Sequence, residues 1–313
     1  MDNIKQGKIA IMFSGQGAQY TGMGKSLYEN SAAARAVFDC AESIRPGTIA
    51  QCFEGSAEEL AQTENTQPCV YCVDLAAAMA LQEAGIKGDM LAGFSLGEIA
   101  ALTFSGAVSD EDGFNLVCKR AQLMQKASEK VTAGMVAVLK LSDDEVVALC
   151  EKLENVYPVN FNCPGQVVVA GTQDGLEELK ARVKEAGGKA LPLKVSGGFH
   201  SPFMDDAASA FADVLDAMSF ASPSVPLYSN VTAKPYDGNF KELLYKQLCN
   251  PVRWHVAVKD MIAAGAETFI EVGPGKTLCG FIPRISDSDK IRAFNVEDFE
   301  SLKKTVEEVA ANA

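Results

Sequence analysis

A strand that runs straight into a glycine-flanked serine turn constrains this chain more than any other feature in it. Asp89-Met90-Leu91-Ala92 leads into Gly93-Phe94-Ser95-Leu96-Gly97, and small apolar residues follow through Ser105 to Gly106. Gly-x-Ser-x-Gly between a strand and a helix is the nucleophile elbow, a turn too tight for Cβ atoms at its flanking positions. It lifts the serine hydroxyl off the sheet edge, and the next helix aims its free N–H groups at the same spot. Glycine and serine are common, so the turn takes its meaning from what surrounds it.

The 313 residues, 48% hydrophobic and 22% charged, suffice for one large domain or for a domain carrying a smaller insert. A net charge of −13 argues against a nucleic-acid binder, and an acidic partner would need a local basic patch. Nine irregularly spaced cysteines make no disulfide framework. Met1-Asp2-Asn3-Ile4-Lys5 does not read as a signal peptide, so free thiols in a reducing cytosol are expected. Cys69 and Cys72 lack a second pair or a histidine cluster, and read as buried helix residues rather than metal ligands. No run approaches the ~20 apolar residues of a membrane span. Two apparent nucleotide motifs fail: Gly15-Gln16-Gly17 would need glycine where Tyr20 stands, and Gly275-Lys276-Thr277 would need glycine at Ile270.

Lys8 to Phe13 reads as a first buried strand, and 25–81 as mostly helical, with the helix around Cys69 and Cys72 opening after Pro68. Ser109-Asp110-Glu111-Asp112 caps a long helix that carries Arg120. The helix-surface neighbours of Arg120 are Leu116, Val117, Leu123 and Met124, and a guanidinium in such a patch is costly unless an anion meets it. From about Gly134 to Val195 the pattern is β-α-β-β-α-β, a split-βαβ, ferredoxin-like unit. Strands at Val225 to Ser229 and Thr268 to Val272 return to the main sheet. The fold class is therefore α/β. A large α/β-hydrolase-like subdomain (1–130 and 197–313) has a parallel sheet and nucleophile elbow, and 131–196 forms the inserted ferredoxin-like subdomain.

A serine nucleophile needs a base, and there are only two histidines. His255 lies within a helix and is expected only to pack or to face water. His200, in Ser196-Gly197-Gly198-Phe199-His200-Ser201-Pro202, precedes a helix whose positive end would keep the ring neutral. Several acids lie between Ser95 and His200, and none stands out as a third triad member.

Taken together, Gly15-Gln16-Gly17-Ala18-Gln19, Gly93-Phe94-Ser95-Leu96-Gly97-Glu98, Lys119-Arg120-Ala121-Gln122, Asn160-Phe161-Asn162-Cys163-Pro164-Gly165-Gln166, Phe199-His200-Ser201, Asn250-Pro251-Val252-Arg253-Trp254 and Glu271-Val272-Gly273-Pro274-Gly275-Lys276 resemble the malonyl-CoA:acyl carrier protein transacylase family over nearly the whole chain. The resemblance implies Ser95 as nucleophile and His200 as its base, oriented by the backbone carbonyl of Gln247. It implies an oxyanion hole from the N–H groups of Gln16 and Leu96, and Arg120 as receptor of the malonyl carboxylate. Phe199, Gln166 and Asn162 fall on substrate-binding positions. The implied reaction moves malonyl from CoA to the phosphopantetheine thiol of acyl carrier protein through an acyl-serine, with no metal or other cofactor. The implied enzyme is a cytoplasmic monomer of fatty acid synthesis. Lys189, Lys194 and Arg284 are the expected docking charges for the acidic carrier. Two positions depart from the family pattern: Phe94 stands where histidine is usual, and Ser14 where proline is. The alternatives are a polyketide-serving acyltransferase, a serine esterase or thioesterase, and a catalytically silent carrier-binding protein.

Overall fold

The computed structural model describes residues 7–195 and 197–311; the amino-terminal reading at Met1 to Lys5, and Ser196, lie outside the described residues. Nine strands occur in chain order among them: β1 (Lys8–Phe13), β2 (Met90–Gly93), β3 (Ala133–Leu139), β4 (Val156–Cys163), β5 (Gln166–Thr172), β6 (Lys189–Pro192), β7 (Leu227–Tyr228), β8 (Ala266–Val272) and β9 (Arg292–Val296). They form two sheets.

The first sheet is parallel, in the order β7-β2-β1-β8-β9. Its centre, β1, is covered on both faces, which is why its sequence is a continuous apolar run rather than an alternation. Ile11 and Phe13 pack with helix Thr63–Glu83, whereas Ala10 and Met12 pack with helix Trp254–Ala263. The helix bearing Cys69 and Cys72 thus starts at Thr63, and Pro68 lies inside it. Proline is tolerated there because the carbonyl it leaves without an N–H belongs to Glu64, an exposed residue of the first turn. Strand β7 is shorter than expected: at Ser229 the chain folds back, with Ala233 N donating to Ser229 O and Ser229 N to Lys234 O. Strand β9 and helix Phe299–Ala311, which the sequence patterns did not single out, complete the sheet's far edge.

The second sheet is antiparallel, in the order β4-β5-β3-β6, the ferredoxin-like arrangement. Ser142 and Glu145 form a capping box on helix Asp143–Cys150, and Thr172 caps helix Gln173–Glu185. Alternation assigns the two faces: Val136, Val138, Val167 and Val169 pack under those helices, while Met135, Ala137, Val168 and Ala170 belong to the core shared with the parallel sheet.

His255 corrects an expectation. It does not merely pack or face water: it is buried, and its Nε2 lies 2.7 Å from Asp143 Oδ2. Asp143 opens a helix of the antiparallel layer, 112 residues away in sequence, so no inspection of neighbours within the His255 helix could find it. Among the described residues no helix is long and apolar enough to cross a membrane, and no group of three His, Cys, Asp or Glu is placed to hold a metal. All nine cysteines are free thiols, with Cys69 and Cys72 buried.

Candidate active site

The elbow closes as its glycines require. A Cβ on Gly93 would lie 2.0 Å from the Gly97 carbonyl carbon, and one on Gly97 would lie 2.3 Å from Ser14 O. Ser95 itself takes φ 56°, a left-handed conformation that a non-glycine residue holds only when its surroundings enforce it. Asn230 enforces it: its Oδ1 accepts from Ser95 N at 2.8 Å, and its Nδ2 donates to Gly93 O at 2.6 Å.

Ser95 Oγ is 2.8 Å from His200 Nε2, and His200 Nδ1 is 2.7 Å from the backbone oxygen of Gln247. A carbonyl only accepts, so Nδ1 carries the hydrogen and Nε2 is left as the acceptor facing the serine. His200 is 4% exposed and held from 6.5 down to about 4, first by burial and then by the nearby Arg120 cation. The ring is kept neutral, as expected, but for that reason rather than by a helix end. The helical turn that follows it, Pro202–Met204, is only three residues long before helix Asp205–Asp216 begins.

Arg120 is 1% exposed. Its Nη1 donates to Gln67 Oε1 at 2.5 Å, and its Nη2 donates to Gln247 Oε1 at 2.8 Å and to Ser95 Oγ at 3.1 Å. Among the described residues no carboxylate pairs with it. Burial lowers its pKa from 12.5 to about 10, opposed by the Glu98 charge. Hydroxyl, imidazole and guanidinium therefore meet at one oxygen. They border a cavity of about 80 Å³, also lined by Gln16, Leu96 and Phe199. This cavity adjoins a groove of about 440 Å³ whose walls include Asn162, Gln166 and Lys194, so the sheet of β3 to β6 forms one side of the approach to Ser95.

The expected docking charges are separated. Lys194 lines the groove, but Lys189 lies across β3 from the Gln166 end, pairing with Leu139. Arg284 is engaged by Gln166 Oε1 at 2.6 Å and Pro164 O at 3.1 Å. Exposed Leu193 joins Lys194 on the lip.

Sequence reasoning missed Asn230, Gln67, Tyr236, the carboxylate of Glu98 and the side chain of Gln247. Glu98 carried a usable signal: it is an acid in the apolar helix Gly97–Phe104, the same mismatch that singled out Arg120. It is fully buried, and burial raises its carboxyl from 4.5 to about 7. Phe94, at the departure from the family pattern, packs against Trp254 with ring centroids 5.5 Å apart and borders both cavity and groove. Ser14, the other departure, donates to the buried Asp74 carboxylate at 2.7 Å.

Comparison with known proteins gives these contacts a context. The model of the acyl transferase domain matches residues 11–301. The chain belongs to the acyl transferase family. Among its relatives, the malonyl CoA-acyl carrier protein transacylase of Bacillus subtilis (strain 168) is 39% identical over 308 residues, covering 96% of each chain. The crystal structure of malonyl CoA-acyl carrier protein transacylase from Clostridium perfringens superposes with a TM-score of 0.93 at 38% identity, covering 97% of this chain and 98% of that one. A malonyl-transacylase solved in complex with a type II polyketide acyl-carrier protein superposes at 0.92 with 34% identity, covering 96% and 99%. These neighbours share this acyltransferase's pairing of a parallel sheet with a separate antiparallel one.

Proposed function

We propose that this chain is a malonyl-CoA:acyl carrier protein S-malonyltransferase working by ping-pong acyl transfer. The observation that carries the reading is the convergence of His200 Nε2 and Arg120 Nη2 on Ser95 Oγ, at 2.8 and 3.1 Å. An esterase needs the serine and the base; a buried guanidinium beside them, without a carboxylate of its own, suits an acyl group that brings one.

Ser95 Oγ attacks the thioester carbonyl of malonyl-CoA while His200 Nε2 takes its proton. The oxyanion forms beside the Gln16 and Leu96 amides. Collapse breaks the C–S bond, and CoA leaves as the thiol with the proton from His200. The carrier's phosphopantetheine thiol then repeats the sequence in reverse: it gives its proton to His200, attacks the malonyl ester, and Ser95 leaves reprotonated. Asn162, Gln166 and Phe199 border the approach used by both thioesters. The division into 1–130 with 197–313 and an inserted 131–196 makes that approach a cleft between subdomains. Nine free thiols support a reducing, cytoplasmic setting, and in this reading the enzyme acts as a monomer. The solved complex with a polyketide carrier favours one second reading, the same chemistry serving a polyketide carrier.

Intact mass spectrometry tests the proposal. Malonyl-CoA alone should add one malonyl group, absent in Ser95→Ala, and carrier protein should remove it. Loss to water without carrier would instead make the chain an esterase, and no adduct would make it catalytically silent.

A further inference from the structure

Gln247 does more in this structure than offer its main chain to His200. Its side-chain amide lies between two buried opposite charges. Oε1 accepts from Arg120 Nη2 at 2.8 Å, while Nε2 donates to Glu98 Oε2 at 2.7 Å and to Ser95 O at 2.9 Å. Glu98 is itself pinned, by the Tyr236 hydroxyl on Oε1 and by Asn230 N at 3.2 Å on Oε2. A flipped amide would set N–H against guanidinium and oxygen against carboxylate, so the charges at its two ends permit one orientation only.

We infer that the Glu98–Gln247 side-chain pair is a specificity device: Glu98 orients the Gln247 amide, and the neutral Oε1 holds Arg120 Nη2 beside Ser95 without neutralising it. The inference rests on the proposed malonyl transfer and explains how Arg120 stays available to a substrate carboxylate. All three oxygens that accept from Arg120, on Gln67, Gln247 and Ser95, belong to neutral groups. The nearest acid in the network, Glu98, is one amide away. Gln247 is buried at 0% exposure, so its contacts are not exchanged with water. Glu98 and the Gln247 side chain are positioning groups here, because both act on the acyl group through Arg120.

The test is Gln247→Glu, which changes the amide to a carboxylate of the same shape and leaves the main-chain carbonyl for His200. An internal carboxylate then occupies Arg120. Acylation of Ser95 is followed by quenched intact mass with malonyl-CoA and with acetyl-CoA. The malonyl-to-acetyl acylation ratio should fall by at least about a hundredfold, over and above any loss common to both donors, as loss of one charge-pair partner implies. Because the introduced carboxylate and Glu98 would repel, the single variant should melt lower. Gln247→Glu with Glu98→Gln removes that repulsion, so its melting temperature should recover while the malonyl loss persists. Equal loss with both donors would overturn the inference and make the side chain merely structural. So would recovery of malonyl acylation in the double variant, or an unchanged malonyl-to-acetyl ratio. Failure of the wild type to form malonyl-Ser95 would instead overturn the functional reading beneath it.

Discussion

On the proposed mechanism, replacing Arg120 by alanine should separate recognition of the acyl carboxylate from the chemistry at Ser95. The guanidinium is 1% exposed, lies 3.1 Å from Ser95 Oγ, and is met by neutral oxygens. Truncating one partner of a buried, hydrogen-bonded charge pair costs about 2–5 kcal/mol, equivalent to about 30-fold to about 5,000-fold in malonyl acylation. Acetyl-CoA brings no carboxylate and should keep its rate or gain. A second effect follows from the same structure: Arg120 is one of the causes that hold His200 down to about 4. Without that cation the imidazole binds its proton more tightly. The acid limb of acetyl acylation should therefore move to higher pH in Arg120→Ala, so that the variant loses more rate than the wild type between about pH 8 and about pH 5. Quenched intact-mass acylation with both donors across that range reads both effects. Equal loss of malonyl and acetyl transfer, with the acid limb unmoved, would refute the reasoning and leave Arg120 as a core residue whose removal orphans Gln67 and Gln247.

Asn230→Ala should lower malonyl and acetyl acylation together, by about 10- to 100-fold, because it releases the elbow rather than a substrate contact; a selective loss of one donor would count against that role. His200 is depressed from 6.5 to about 4, so its stability contribution is present above pH 6.5 and is lost as pH falls through about 4. Relative to His200→Asn, the wild type should lose up to about 3 kcal/mol over that window in urea unfolding, and parallel curves for the two proteins would contradict it. Added salt should weaken transfer to the carrier while leaving self-acylation nearly unchanged. Lys194→Glu, on the groove, should raise the carrier KM more than Lys189→Glu, at the far end of its strand; the reverse ranking would move the dock elsewhere.

What the sequence disclosed depended on the range of the interactions involved. The elbow was legible because part of its constraint is local: Gly93 faces the Gly97 and Glu98 backbone of its own turn, whereas Gly97 faces the Phe13 and Ser14 backbone at the end of the neighbouring strand. The βαββαβ order was legible for a similar reason, since Ser142 with Glu145 and the period-two valines of β3 and β5 are read within a few residues. Arg120 stood out as a charge among apolar neighbours, but the groups that meet it are not the anion inferred from that mismatch. They are neutral oxygens from residues 53, 25 and 127 positions away. Sequence patterns register that a buried charge must be satisfied and do not say by what. Asn230 shows the same limit from the other side. It lies just beyond β7, in a turn with no periodicity, and nothing around it predicts a bond to Ser95 N across 135 residues. Such residues gain their function from where the sheet ends rather than from their neighbours. β7 pairs for only two residues beside β2, and stopping there delivers the next turn to the base of the elbow. A longer β7 would carry Asn230 past Gly93, so the strand length that the sequence overestimated is part of what holds Ser95 in place.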